Sequence, residues 1–159
     1  MRTIEGVPSA KGFRFALVVS KFNDFVTDRL QSGAVRALMA AGAEEAHLTL
    51  VRVPGAFEIP IAARHAAASG RFDAIVCLGC VIRGDTPHFE YIATAVAHGI
   101  TDAASATGVP MAYGVLTTNS VEEAIERAGE GPSNKGWEAA AAAMEMAVIV
   151  TELRRPSAR

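Results

Sequence analysis

The chain has 159 residues, half apolar and a fifth charged, with a mean hydropathy of +0.24; this suits one domain with a substantial core and excludes disordered and fibrous classes. Fifteen basic residues against seventeen acidic ones leave a formal charge of −2, which gives no electrostatic footprint for nucleic acid or an anionic membrane. The stretch from Met1 to Glu5 carries charges where a signal peptide needs apolar residues, and no apolar run approaches the ~20 residues of a membrane span, so a cytoplasmic protein is expected.

The first predicted element is a strand over 13–20, apolar and β-rich, that stops at the polar cluster from Lys21 to Asp24. From Phe25 the residues Val26, Leu30, Ala34, Val35, Leu38 and Met39 recur at helical spacing as far as Gly42, which predicts a helix. The alternation continues with a strand over 46–53 and a helix from about Phe57 to Gly70. A strand over 73–82 follows, then a helix from Pro87 to about Thr107 with Gly108 as its stop. A strand over 110–117 leads to a helix whose start, Ser120 with Glu123, fits a capping box. A long helix from about Gly136 to Leu153 ends the series. Four strands read as apolar on both faces, alternating with helices, predict a parallel sheet covered on both sides with right-handed crossovers. Ligands in such folds bind beyond the carboxyl ends of the strands.

Two features have a packing reading. Cys77 and Cys80 form a C-x-x-C inside the apolar run from Ala74 to Ile82; residues three apart on a strand face opposite sides, so we expect two core thiols and neither a redox pair nor a zinc site. The final helix is apolar almost all round, from Ala139 through Val150, which points to a subunit interface; burial within its own subunit is the alternative.

The loops after strands carry the chemistry. In Arg83-Gly-Asp-Thr-Pro-His88, Thr86 reads as an N-cap with proline in the first helical position, so unpaired N–H groups would form an anion site beside His88, a candidate proton-transfer group. Glu58, at another strand-to-helix junction, suits polyol hydroxyls or a plain capping role. Phe22 sits in a polar loop, where its ring would stack on a planar ligand or tuck beneath the loop. The segment from Gly129 to Gly136 follows a helix and lacks the Gly-Lys-Ser/Thr ending, so it is not a P-loop. Arg127 and Lys135 flank it, as candidate phosphate partners or as solvated charges. His47, His65 and His98 share no ligand spacing with His88, so no metal is expected. Neither G-x-S-x-G nor H-E-x-x-H is present.

Taken together, Phe22 with Asn23, Val53-Pro-Gly-Ala-Phe-Glu-Ile-Pro60, Gly79-Cys-Val-Ile-Arg-Gly84, Thr86-Pro-His-Phe89 and Asn134-Lys-Gly-Trp-Glu138 resemble the 6,7-dimethyl-8-ribityllumazine synthase family, in order and spacing from about Phe13 to Val150. The resemblance implies a flavodoxin-like three-layer α/β/α sandwich around a four-stranded parallel sheet. It also implies a homo-oligomer of pentamers with active sites shared between neighbours, free, paired as decamers or closed into a sixty-subunit shell. The Ala-rich final helix and the lack, between Arg127 and Asn134, of the insertion that accompanies unclosed pentamers among relatives favour the shell, and residues 1–12 could extend onto a neighbouring subunit. The implied reaction condenses 5-amino-6-(D-ribitylamino)uracil with 3,4-dihydroxy-2-butanone 4-phosphate and needs no cofactor.

By position, the resemblance implies that Phe22 stacks on the pyrimidine, whose edge meets Cys80 and the backbone of Val81 and Ile82. Ala56, Phe57 and Glu58 would hold the ribityl chain, Gly84, Asp85 and Thr86 would surround the phosphate, and His88 would transfer protons. Tyr113, Arg127 and Lys135 would come from the adjacent subunit. Tyr113 and Asp85 depart from the commonest family pattern, and the Asp85 carboxylate is expected to turn from phosphate and cap the helix. A flavin mononucleotide protein would want a Ser/Thr-rich loop after the first strand, which Ser20 to Asn23 does not supply. A shell-forming relative without catalysis would not need His88, Arg127 and Glu58 together.

Overall fold

A computed structural model describes residues 1–157. Four parallel strands, β1 (Phe15–Ser20), β2 (Leu48–Val53), β3 (Ala74–Ile82) and β4 (Met111–Thr118), form one sheet in the order β2-β1-β3-β4. The helices are α1 (Asp24–Ala40), α2 (Ile59–Ala68), α3 (His88–Thr107), α4 (Val121–Arg127) and α5 (Lys135–Arg154). This is the doubly wound α/β arrangement implied by the resemblance.

The two-residue period of the strands divides the core into two layers. Leu17, Val19, Val76, Leu78 and Cys80 pack with Leu30, Leu38, Ala140 and Met144 of α1 and α5. The alternate residues Ala16, Val18, Ile75 and Cys77 pack with Ile59, Ala63, Val96 and Ile100 of α2 and α3. Cys77 and Cys80 therefore lie in opposite layers, both free and buried. Burial pushes the Cys77 thiol up to about 12 and that of Cys80 up to about 11. A thiol whose folded pKa exceeds its unfolded value contributes stability that is complete below the unfolded value of 9.0 and is lost as pH rises toward 11 and 12. At pH 8 a thiol reagent should label neither cysteine in the native protein and both after denaturation; rapid native labelling would refute this burial.

The reading of every strand as apolar on both faces holds for β1 and β3 but fails for β2, where Thr49, Leu50 and Arg52 are exposed. It is an edge strand, and the helices that follow β1 and β2 pack mainly on β1 and β3. Its predicted start also shifts, because residues Glu45–His47 form a 3₁₀ turn. β4, the other edge, exposes Tyr113 and Thr117 while Gly114, Val115 and Leu116 are buried.

Asn134 closes the join between α1 and α5. Its side-chain oxygen accepts from the N–H groups of Gly136 and Trp137 at 2.7 and 3.2 Å, and its amide donates to the carbonyls of Gly129 and Arg29 at 2.8 and 3.2 Å. A Cβ on Gly136 would overlap the Leu30 carbonyl, so only glycine lets the helices meet here. α5 buries Ala139, Ala140, Ala143, Met144 and Ala147 but leaves Ala142, Met146 and Leu153 exposed, so it is not wholly buried in its own subunit. The N-terminal segment lies along α5, with Arg2 paired to Glu152 at 2.7 Å and Ala10 buried. Among the described residues, no helix is long and apolar enough to cross a membrane.

Candidate active site

The sheet order reverses between β1 and β3, because β1 leads outward to β2 on one side and β3 leads to β4 on the other. Loops leaving such adjacent strands diverge and leave a crevice beyond their carboxyl ends. A cavity of about 560 Å³ occupies that place, lined by Phe22, Asn23 and Phe25 after β1 and by Gly55, Ala56 and Phe57 after β2. Cys80, Val81, Ile82, Gly84 and Thr86 form its third side, and His88, Phe89 and Ile92 of α3 with Val121 complete it.

Phe22 is 70% exposed and Phe57 61%, so neither ring is tucked beneath its loop. The backbone under Phe22 is clamped, since Lys21 N–H donates to Val53 O at 2.8 Å and Phe22 N–H to Pro54 O at 3.0 Å. Presenting two aromatic faces to water is costly unless a ligand covers them. Ala56 is buried beside Phe57. Glu58 occupies the N-cap position of α2, yet its carboxylate makes no capping hydrogen bond. That carboxylate lies over Gly55 of the cavity wall, where a Cβ would come within 3.3 Å of Glu58 Oε1.

The start of α3 departs from expectation. Thr86 is not the N-cap and Pro87 is not the first helical residue: Pro87 takes the N-cap position with φ −70° and ψ 0°, and α3 begins at His88. The physical reason is a tight opening turn, in which the Pro87 carbonyl accepts from Glu90 N–H at 3.1 Å. No side chain caps this helix, so the expected capping by Asp85 is also absent; Asp85 is exposed and does not line the cavity. The uncapped N–H groups, with Thr86 and the open Gly84 nearby, suit an anion. His88 is exposed at the same place.

Two residues of this region carry no assignment from the sequence. Arg83 donates through Nε to Asn119 Oδ1 at 2.9 Å, pairs with Glu90 at 3.6 Å and lies over the Phe89 ring at 4.8 Å. It thereby joins the ends of β3 and β4 to the first turn of α3. Asn23 is the other, at φ 63° and ψ 44°, with its amide donating to Cys80 O at 3.0 Å. Arg83 has no local signature because its partners come from three segments; an Asn two residues before the first predicted helix was a usable signal for the second.

Tyr113, Arg127 and Lys135 are not brought to this cavity. Tyr113 and Lys135 line a separate concavity of about 260 Å³ between β4 and α5. Lys135 pairs with Glu138 at 2.9 Å, and Arg127 donates to the Glu123 carbonyl at 3.3 Å. Burial, and secondarily Cys77, raise the Tyr113 phenol, which stays protonated. No group of three or more His, Cys, Asp or Glu side chains among the described residues is placed to hold a metal ion.

The cavity thus offers stacking faces, an anion-receptive turn and an imidazole, a set suited to joining a planar molecule to an anionic one, while Glu58 is not part of its lining and only flanks the Gly55 wall. Residues 12–151 match the family described as 6,7-dimethyl-8-ribityllumazine synthase. A protein of that name from Syntrophus aciditrophicus (strain SB) is 52% identical over 149 residues, covering 94% of this chain and 97% of the relative. Another, from Desulfatibacillum aliphaticivorans, is 48% identical over 153 residues, covering 96% and 99%.

Proposed function

We propose, since this chain belongs to the 6,7-dimethyl-8-ribityllumazine synthase family, that the cavity between β1 and β3 is where it carries out the family's reaction. The protein is a transferase of riboflavin biosynthesis that condenses 5-amino-6-(D-ribitylamino)uracil with 3,4-dihydroxy-2-butanone 4-phosphate. The products are 6,7-dimethyl-8-ribityllumazine, phosphate and two waters. The observation that carries the placement is the convergence of Phe22, Phe57 and His88 with an uncapped helix start at one end of the sheet.

In this reading Phe22 stacks on the pyrimidine and the backbone of Cys80, Val81 and Ile82 reads its edge. Ala56 and Phe57 flank the ribityl chain, and Glu58 accepts its hydroxyls. Gly84 and Thr86 receive the phosphate at the start of α3, and the exposed Asp85 serves that loop without touching the anion. The 5-amino group attacks the ketone and water leaves, giving an imine. His88 takes a proton from the carbon next to the imine, and phosphate departs from the neighbouring carbon. The enol so formed takes a proton on its terminal carbon to become a methyl ketone, and the ribitylamino nitrogen attacks that carbonyl, closing the ring with loss of the second water. The amine and ketone react slowly unaided, so the protein's main contribution is to hold and orient them. The overall conversion involves no net oxidation or reduction and consumes no cofactor. Incubating the pure protein with both substrates should produce lumazine absorbance well above the uncatalysed rate; a rate equal to that of buffer would overturn the assignment.

Arg127, Tyr113 and Lys135 then serve the site of an adjacent subunit in a cytoplasmic homo-pentamer. The open edge of β4 and the exposed apolar side chains Tyr113 and Met146 support a neighbour docking there. The segment before Phe13 lies along α5 and is available to the same neighbour. Arg127 and Asn134 are joined by a short connection without insertion, which favours further closure into a sixty-subunit shell. Sedimentation at neutral pH should give a particle far heavier than the 16.6 kDa chain; a sharp pentamer boundary at high concentration would remove the shell, and a monomer boundary the shared site as well.

A further inference from the structure

We propose that Asn23 is a positioning residue for this reaction, setting the distance between the Phe22 ring and the end of β3. Its conformation is the first ground. Asn23 is the one non-glycine residue at positive φ among the described residues, at φ 63° and ψ 44°. Asparagine tolerates this left-handed region better than other residues with a Cβ, and such conformations persist where the surroundings hold them.

The second ground is how the side chain is used. Asn23 stands at the N-cap position of α1, where an asparagine ordinarily accepts from the helix N–H groups, yet it makes no side-chain cap. Its amide instead donates to Cys80 O at 3.0 Å. The last β1–β3 pair is Val19 with Leu78, so Cys80 lies beyond the reach of β1. The amide continues the pairing where the strand has turned away, and it ties the loop carrying Phe22 to the strand end carrying Val81 and Ile82. Phe22 itself is 70% exposed, so packing does not hold its ring. Its position follows from the backbone clamp to Val53 and Pro54 on one side and from the Asn23 tether on the other. Both walls of a slot for a planar ring are thereby fixed before any ligand arrives, which is the preorganisation that lowers the cost of binding.

This inference rests on the assignment of the slot to the pyrimidine substrate, and the experiment separates the two. Steady-state kinetics with each substrate varied in turn should be run on wild type, Asn23→Gly and Asn23→Asp, with melting temperature and assembly mass measured on the same samples. Glycine keeps the left-handed conformation but loses the tether, and KM for the pyrimidine should rise roughly three- to tenfold while KM for the phosphorylated ketone stays unchanged. Aspartate keeps the size but sets a carboxylate against a carbonyl oxygen, and should raise the pyrimidine KM further. If the glycine variant does not fold, the aspartate variant carries the same comparison. A wild-type pyrimidine KM in a folded variant would overturn the proposal, as would equal losses on both substrates accompanied by a lowered melting temperature. Wild-type protein that forms no lumazine would overturn the underlying assignment and this inference with it.

Discussion

Replacing His88 by alanine is expected to slow turnover by up to about a hundredfold, the lower end of the range for general acid–base catalysis. Two considerations set that size. The imidazole is proposed to move one proton, between imine formation and phosphate loss, in a condensation that already proceeds slowly unaided. Orientation of the two substrates, which supplies most of the acceleration in such a case, would survive the change. Folding should survive as well, because His88 is exposed at the first position of α3 and caps nothing; surface substitutions of this kind stay within about 0.5 kcal/mol. The comparison to make is kcat at saturating substrate in protein of normal assembly mass. An unchanged kcat would remove His88 from the mechanism.

Arg127→Ala is expected to act on one substrate only. A charge-assisted hydrogen bond to phosphate is worth roughly 1.5 to 3 kcal/mol, so the phosphorylated ketone should bind about ten- to a hundredfold more weakly. The pyrimidine partner should bind as before. Within its own chain the guanidinium reaches the Glu123 carbonyl at 3.3 Å, a long contact on an exposed helix, so stability should change little. Equal weakening of both substrates would place Arg127 in the fold or the interface. Because Arg127 lies away from the cavity that contains His88, mixed assemblies of Arg127→Ala and His88→Ala chains should recover activity at sites drawing an intact residue from each. No recovery after confirmed mixing would overturn the sharing.

Much of the fold was legible because its signals are local. The buried runs of β1 and β3, the helical spacing after Phe25 and the glycines at 42, 70 and 108 each report on neighbours a few residues away. The Ser120 start was legible for the same reason: Glu123 N–H donates to Ser120 Oγ at 3.1 Å, while the Glu123 carboxylate accepts from Asn119 N–H at 3.0 Å. The start of α3 misled because Thr-Pro fits an N-cap followed by a first helical residue equally well one position earlier. Only the ψ of Pro87, near 0°, decides between the two. β2 misled because an apolar strand at the sheet edge and one at its centre have similar composition, and the strand order separates them.

Residue order alone was enough for the alternation of strands and helices, the layer assignment of Cys77 and Cys80, the family, and with the family the reaction. These depend on residue identity and spacing along the chain, which a linear pattern records. Tertiary structure alone decided that the strand order reverses between β1 and β3, that Phe22 and Phe57 converge there with His88, and that Tyr113 and Lys135 face another concavity. It also decided that Asn23 spends its amide on Cys80, 57 positions away, and that Asn134 is occupied holding α5 to α1. Each of these is a contact between segments far apart in the chain, whose existence depends on how the sheet is ordered and which way each strand turns out.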